Sequence, residues 1–408
     1  MINALKGMKD IKDSQALHYE RIIKTCEEVA KNYGFCFINT PHLELCKLFK
    51  RSVGESSDIV AKEMYEFNDK GGNEVCLRPE GTAGIVRAYI EHKFDKTQLT
   101  KRWFYHGSMF RYEKPQKGRL REFHQFGVES FGISSVYEDA SLILMLVDIF
   151  SKLQVTYKLL INSLGCTNCL NVFKQNFLDF LATKEGFCQD CKRRKEINPI
   201  RILDCKNEQC QNLLNDAPFI SEHLCKNCQM DFDTLQQCLR DSSIEFEVDL
   251  KLVRGLDYYS KTAFEFISDQ IGAKSAIAGG GRYDKLLEYL GGKGGYGVGF
   301  ALGVERIIDI LEQQEQKDKR SGMYLCALDE PYIQKLFTIA QLLRKKNKVV
   351  LSYEAKKLGK HLELADKGGF QFCICIGENE AKNDTLFCRD LENKTEKIIA
   401  ISNLEKSL

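Results

Sequence analysis

The sequence predicts a large α+β domain with a largely antiparallel sheet, an inserted, mostly helical cysteine-rich module, and a C-terminal α/β domain. Three observations carry this expectation. Strand-like runs with glycine and proline turns fill about 75–132 and resume at Phe246, while eight of the 17 cysteines crowd into residues 166–228 between them. Beyond residue 322, short apolar runs alternate with helical periods. A chain of 408 residues exceeds the size at which one core stops growing. The expected boundaries are 1–165 and 246–311 for the two parts of the large domain, 166–245 for the insert, 312–322 for a linker and 323–408 for the last domain.

Apolar residues at 43%, charged residues at 28% and only six prolines describe a folded globular protein. The formal net charge of +2 excludes a cationic body that grips polyanions indiscriminately, so any nucleic-acid contact must be patchy. The opening MINALKGMKD has no apolar signal core, and no run is long enough to span a membrane. With so many cysteines this points to the cytoplasm, with thiols reduced or metal-bound.

From Ser14 to Gly34, Leu17, Ile22, Cys26, Val29, Ala30 and Tyr33 recur at helical spacing, with Ser14 as N-cap and Gly34 as stop. A second apolar helix is expected near 139–153. After the insert, strands resume at Phe246 and end in a helix near 304–311, and EQQEQKDKRSG reads as a linker. Then MYLCAL, YIQKLFTIAQLLRKK, KVVLSYE, EAKKLGKHLELADK and FQFCICIGE alternate strand and helix, which predicts a parallel sheet.

The chemistry concentrates in WFYHGSMFRYEKPQKGRLREFHQFGVESFG, residues 103–132, read as two strands joined by a basic loop. Alternation puts Arg111 and Glu113 together on the first strand and Phe123, Gln125 and Glu129 on one face of the second, while Phe126 and Val128 point to a core. Lys117, Arg119 and Arg121 can reach a polyphosphate above. An amphipathic hairpin with a solvated face has the same pattern, but aromatic residues interleaved with the charges suit a ligand ring better than water. In CLRPEGTAGIVRAY, Glu80 and Thr82 sit at a turn opening a helix, where they fit an ammonium group or simply cap the helix. In LVRGLDYYSKTAFEF, Arg254, Asp257, Tyr258 and Tyr259 crowd around Gly255, offering a bidentate anion partner and neutral donors, or a strand end with core tyrosines. AGGGRYDKLL lacks phosphate-loop spacing, and GYGVGFALGVERII runs a glycine strand into a helix whose first turn carries Glu305 and Arg306.

Together these stretches resemble the class II aminoacyl-tRNA synthetases, in particular the histidyl-tRNA synthetase family. FRYEKPQKGRLREFHQFGVESFG resembles the second class-defining motif, GFALGVERI the third, and RGLDYY with RPEGT the histidine-specific signature. The similarity runs from KGMKD at 6–10 through LADKGG and IGENE near the C-terminus. It implies a class II catalytic domain, a tRNA-contacting insert, an anticodon-binding C-terminal domain, and ATP with Mg²⁺, L-histidine and histidine tRNA as substrates. It implies that Arg111 binds the α-phosphate and histidine carboxylate region, Glu113 the adenine amino edge, and Phe123 the adenine ring. Arg119 and Arg306 would hold the outer phosphates, and Glu80, Thr82 and Gln125 the ammonium. Glu129 and Tyr259, with Tyr258 beside them, would line the imidazole pocket, and Arg254 would balance charge in the transition state. A homodimer and recognition of the extra 5′ guanosine are implied likewise.

In the insert, Cys188-x₂-Cys191 and Cys225-x₂-Cys228 have zinc-knuckle spacing, Cys205-x₄-Cys210 is a rival pair and Cys166-x₂-Cys169 a fourth. Four thiolates could hold one structural Zn²⁺; reduced, metal-free thiols are the alternative. KRRK at 192–195 could meet tRNA backbone or be a solvated charge run. Two rival functions remain open: a silent synthetase paralogue regulating ATP phosphoribosyltransferase, and a zinc-dependent RNA-binding protein.

Overall fold

The computed structural model describes residues 2–54, 57, 59–97, 99–115, 118–256, 258–271, 275–314 and 320–404. They form two compact units dividing after Gln314. The expected linker 312–322 therefore lies in part, at 315–319, outside the described residues, as do Lys117 and Asp257.

Helix α1 (Asp13–Asn32) buries Ile22, Cys26, Val29 and Ala30 on one face. Gly34, at φ +81°, supplies the expected stop. The expected cap is corrected: Lys12 is the N-cap, and Ser14 already lies inside the helix because Asp13, at φ 52°, makes the turn one residue earlier. Strands β1 (Cys36–Phe37) and β2 (Leu43–Leu45), helix α2 (Cys46–Val53), and strands β3 (Tyr65–Asn68) and β4 (Glu74–Leu77) follow. Strands β2, β4 and β3 make a small antiparallel sheet. Helices α3 (Thr82–Glu91) and α4 (Phe94–Thr97) lead to the long hairpin β5 (Lys101–Phe110) and β6 (Glu122–Phe131), then to α5 (Val136–Leu153) and β7 (Lys158–Ser163). The cysteine-rich stretch is helical as expected: α6 (Thr167–Ala182), α7 (Gln189–Ile197), α8 (Glu208–Leu213) and α9 (Lys226–Asp241). Strands β8 (Glu247–Val248), β9 (Ser260–Ser268) and β10 (Ser275–Arg282), helix α10 (Leu286–Tyr289), strand β11 (Gly297–Gly303) and helix α11 (Val304–Gln313) complete the unit.

The main sheet runs β1-β5-β6-β11-β10-β9-β7-β8, antiparallel throughout except for the short edge pairs β1·β5 and β7·β8. Its two faces differ in kind because side chains alternate. Phe104, Phe126, Val128, Phe264, Phe300 and Leu302 point into one core with α1, α5 and α11. Phe232, Leu235 and Leu239 of α9 join that core, so the last helix of the insert packs with the body of the unit. The opposite face is polar and glycine-rich and carries the site. Arg282 at the end of β10 is 1% exposed and fixes this strand to α5 through Asp139 and through the carbonyls of Ile133 (2.9 Å) and Ser135 (3.1 Å).

In the second unit β12 (Met323–Ala327), α12 (Ile333–Leu343), β13 (Val349–Leu351), α13 (Leu358–Lys367) and β14 (Phe372–Ile376) alternate as expected, then α14 (Glu378–Lys382), β15 (Thr385–Asp390) and β16 (Thr395–Ala400) follow. The sheet order is β13-β12-β14-β15-β16. Only the first three strands are parallel; β15 and β16 add an antiparallel hairpin, so the sheet is mixed, not parallel throughout. The reason is local: a turn at 391–394 joins β15 directly to β16 without a crossover helix. No helix among the described residues is long and apolar enough to cross a membrane.

Candidate active site

The register of the main sheet sets the site. Gln125 lies opposite Gly303, Gly127 opposite Ala301, and Glu129 opposite Gly299 on β11, while Gly279 and Gly281 of β10 continue two of these rows toward Glu265 and Ala263 of β9. The missing side chains make the room. A Cβ at Gly299 would overlap the Glu129 carboxylate, one at Gly127 would lie 2.5 Å from the Tyr105 ring, and one at Gly279 would lie 2.5 Å from the Arg254 guanidinium.

Arg111 and Glu113 were expected on the first strand, but β5 ends at Phe110. Glu113 N–H donates to the Arg111 carbonyl at 2.7 Å, and this tight turn takes both out of the pleat. Both still reach a cleft of about 220 Å³ on the polar face. Arg111, Arg119, Arg254 and Arg306 line it with Glu113, Phe123, Gln125, Glu265 and Glu305. Three separated segments thus bring guanidiniums to one space. Arg119 is 3.3 Å and Arg111 3.9 Å from Glu113, and Arg254 donates to Glu265 at 2.9 Å. Arg111 lies over the Phe123 ring at 5.2 Å. Arg306 donates to the carbonyls of Gly118 and Ala276, while Glu305 accepts from the His124 ring at 2.7 Å. Burial and the neighbouring Arg119 charge pull the Arg306 guanidinium below its ordinary value, a repulsion that a polyanion between them relieves. Arg121 departs from expectation: it stacks on Tyr112 at 3.7 Å and donates to the Glu113 carbonyl, outside the cleft.

Behind Arg254 lies a packed, buried cluster of carboxyls and hydroxyls whose members do not line the cleft. Arg254 rests over Tyr259 at 5.6 Å, Tyr259 packs on Tyr258 at 4.7 Å, and Tyr258 meets Tyr283 at 5.8 Å. Tyr283 donates to Glu129, which also accepts from Thr82 at 2.7 Å and Tyr105 at 3.3 Å. Burial pushes the Glu129 carboxyl up to about 8 against the pull of these donors. Burial likewise raises Glu80, whose carboxylate accepts from the Thr82 and Ala83 amides at 2.7 and 2.9 Å, so it caps α3 within this cluster. Among the described residues, Gln125 Oε1, Arg254 Nε and Tyr258 OH are buried without a partner. Leaving such a group unmet costs roughly 1–3 kcal/mol, and since Gln125 and Arg254 line the cleft, their two unmet atoms mark a place built for a polar ligand. Sequence reasoning missed Tyr105, Tyr283 and Glu265. Alternation along β5, with Tyr105 facing the side-chain gap at Gly127, was the signal for the first.

A second cleft continues from Arg111, Arg119, Arg254 and Arg306 to Lys206 and Gln211 of the insert and Lys251. KRRK is not a free run: Arg194 donates to the Arg201 carbonyl and Lys195 to the Leu181 carbonyl, at 3.1 and 2.9 Å. The cysteine pairs also sort differently from a single four-thiol site. Cys166 and Cys169 gather with Cys225 and Cys228, and Cys188 and Cys191 with Cys205 and Cys210, because the helix starts at 166 and 225 lie side by side.

Residues 7–307 match a protein family described as histidyl-tRNA synthetase, and residues 323–408 one described as an anticodon binding domain. The chain is 70% identical over 408 residues to the histidine–tRNA ligase of Campylobacter jejuni subsp. jejuni serotype O:6, covering 100% of both. Among solved structures it resembles apo S. aureus histidyl-tRNA synthetase, with a TM-score of 0.82 and 30% identity over 100% of this chain and 99% of that one. A Bacillus halodurans protein titled ATP phosphoribosyltransferase regulatory subunit/histidyl-tRNA synthetase shares the fold, at TM-score 0.66 and 20% identity over 92% of this chain and 98% of that one.

Proposed function

We infer that this chain, which belongs to the histidyl-tRNA synthetase family, activates L-histidine with ATP and transfers it to the 3′ end of histidine tRNA. In the first step the histidine carboxylate attacks the α-phosphate of MgATP and pyrophosphate leaves. In the second the terminal ribose hydroxyl attacks the adenylate carbonyl and AMP leaves. Attack of one anion on another needs positioning and charge neutralisation more than proton transfer, and the single cleft shared by Arg111, Arg254 and Arg306 supports that chemistry. The silent regulatory paralogue is not favoured, since the full-length relatives are ligases and the likeness to the regulatory-type structure reaches only the fold.

In this reading Phe123 stacks on adenine, displacing Arg111 from its ring, and Glu113 takes the amino edge. Arg119 and Arg306 hold the outer phosphates, and Arg111 and Arg254 face the α-phosphate. Glu80, Thr82 and Gln125 take the ammonium, and Glu129 with Tyr258 and Tyr259 takes the imidazole. A pocket of buried partners rejects amino acids that leave them unpaired, by roughly 10⁴–10⁵ in such sites, so proofreading is unnecessary. The C-terminal unit takes the anticodon and the cleft toward Lys206 and Lys251 the acceptor end with its 5′ guanosine. The active form is a homodimer, supported by the exposed apolar Phe37, Leu43, Leu45 and Phe67 on short strands. The compartment is the cytoplasm, supported by 17 free cysteines.

The test is ATP–pyrophosphate exchange with each amino acid in turn. Exchange is expected with histidine alone; its absence, or equal exchange with another amino acid, overturns the reading. A second expectation concerns proton release. In this reading the imidazole N–H meets Glu129 as a carboxylate, which displaces the proton that burial holds there up to about pH 8. Calorimetry in buffers of different ionisation heat should show the parent releasing close to one proton more per histidine than Glu129→Gln at pH 7, a difference that nearly vanishes at pH 9. Glu129→Gln should remove that extra proton and lower kcat/KM for histidine about 10–100-fold, the cost of one charge-assisted hydrogen bond. The stability sign is also fixed. The proton retained by the folded chain contributes stability that is full below the unfolded value near 4.5 and lost as pH rises through about 8, so Glu129→Gln flattens that window. Unchanged release in the variant removes the assigned role.

A further inference from the structure

We propose that the insert holds two separate structural tetrathiolate sites for a soft divalent cation of the zinc class: Cys166, Cys169, Cys225 and Cys228 form one, and Cys188, Cys191, Cys205 and Cys210 the other. The inference is independent of the catalytic reading. In each group one sulfur from every cysteine lies within 4.8 Å of the other three. Cys166 and Cys169 Sγ are 3.6 Å apart, and Cys188 and Cys205 Sγ are 3.9 Å apart. Thiolates about 2.3 Å from a tetrahedral Zn²⁺ stand about 3.8 Å from one another, whereas a disulfide needs about 2.05 Å. Both groups have the edge of the coordination tetrahedron and not the length of a bond.

The local backbone is built for anionic sulfur. Cys166, Cys188 and Cys225 are the N-caps of α6, α7 and α9, so their partners Cys169, Cys191 and Cys228 sit in the first turns, where amide dipoles favour thiolate. The Cys225 amide donates to Cys169 Sγ at 3.1 Å and the Cys188 amide to Cys210 Sγ at 3.3 Å, tying each pair to the other pair of its own group. Five of the eight sulfur-bearing residues are buried, which shields a bound ion from water and chelators.

The sites also answer a mechanical need. The insert core is small, centred on Phe173, Phe177, Leu181 and Ile202, and its intermediate segment from 183 to 225 contains only short helices. The first site clamps the start of α6 to the start of α9, closing the module at its base. The second staples the loop from 188 to 210, which presents Lys206 to the cleft. A third group, Cys46 with Glu66 and Glu74, is different: Lys50 already occupies it as cation, 3.7 and 2.8 Å from the two carboxylates.

The test uses the full chain produced with zinc supplied, passed over chelating resin and analysed for metal. About two equivalents of zinc per chain are expected, about one in Cys169→Ser or Cys191→Ser, and almost none in the double variant. Because a variant can fail to fold, cobalt titration of the metal-stripped parent chain gives a second readout: the visible bands of tetrahedral thiolate-bound Co²⁺ should saturate near two equivalents. Saturation at one equivalent, loss of both metals from a single variant that keeps the parent's circular dichroism, or less than about half an equivalent of zinc in the parent overturns the two-site proposal. Alkylation mass spectrometry of the freshly purified chain that finds these cysteines paired as disulfides overturns it as well.

Discussion

Arg254→Ala should lower the rate of histidyl-adenylate formation about 10²–10³-fold, the usual loss when one preorganised donor to developing transition-state charge is removed, with the dissociation constant for ATP changed only a few-fold. The side chain is placed for this. Its Nη1 is held by Glu265 at 2.9 Å, its plane rests over Tyr259, and its Nε is buried with no partner, so it is oriented before a substrate arrives. Glu265 keeps partial exposure on its own, with 26% of its side chain accessible, so removing the arginine strands no buried charge and the fold should survive. Arg254→Lys should restore only part of the rate, since a point ammonium cannot span two oxygens. Gly279→Ala gives the more discriminating check. The three atoms nearest the added methyl all belong to the far end of the Arg254 side chain, so the guanidinium shifts while its charge remains, and the rate should fall with ATP affinity intact. Rapid-quench measurement of adenylate formation reads all three; an unchanged rate in Arg254→Ala removes its assigned role.

Why Arg254 was legible and Glu265 was not shows what one sequence carries. Arg111, Arg254 and Arg306 stand in motifs whose residue types suggest anion contact, and one cleft does gather them. The strands, the helical insert and the alternation of the last unit were legible because periodicity is local. Partner choice across strands is not. Glu265 reaches Arg254 only because β9 pairs with β10 at Gly279, and Tyr283 reaches Glu129 only past the glycines of β11, so neither contact has a spacing in the sequence. The same limit applies to the insert: CxxC spacing identifies pairs, but which pairs meet depends on where helix starts lie in space. Local conformation also defeated simple rules, as at Asp13, whose positive φ moved the helix start off Ser14, and at the turn that took Arg111 out of the strand.

Arg282→Ala should destabilise the folded chain by about 3–5 kcal/mol, the cost of removing one partner from a buried ion pair. Arg282 and Asp139 are each 1% exposed, and the guanidinium also reaches Asp284 at 3.3 Å. Burial pushes the Asp139 carboxyl up even with Arg282 beside it. Without the arginine that carboxyl must take a proton to stay inside. Its folded value then lies further above the unfolded value of 3.8, so the variant's deficit should shrink as pH falls toward that value and widen as pH rises. Replacing both residues by leucine should recover much of the loss, since the uncompensated charge is gone. Denaturant unfolding of the parent, Arg282→Ala, Asp139→Ala and the double-alanine variant measures the coupling, and an Arg282→Ala loss below about 1 kcal/mol would mean the pair contributes little net stability. Activity then separates anchoring from catalysis. Arg282 faces α5, while Gly279 and Gly281 face the site, so exchange activity per folded molecule should hold near the parent value at permissive temperature. A fall in that normalised rate would instead mean that the glycine rows beneath Arg254 and Glu129 depend on this peg for their register.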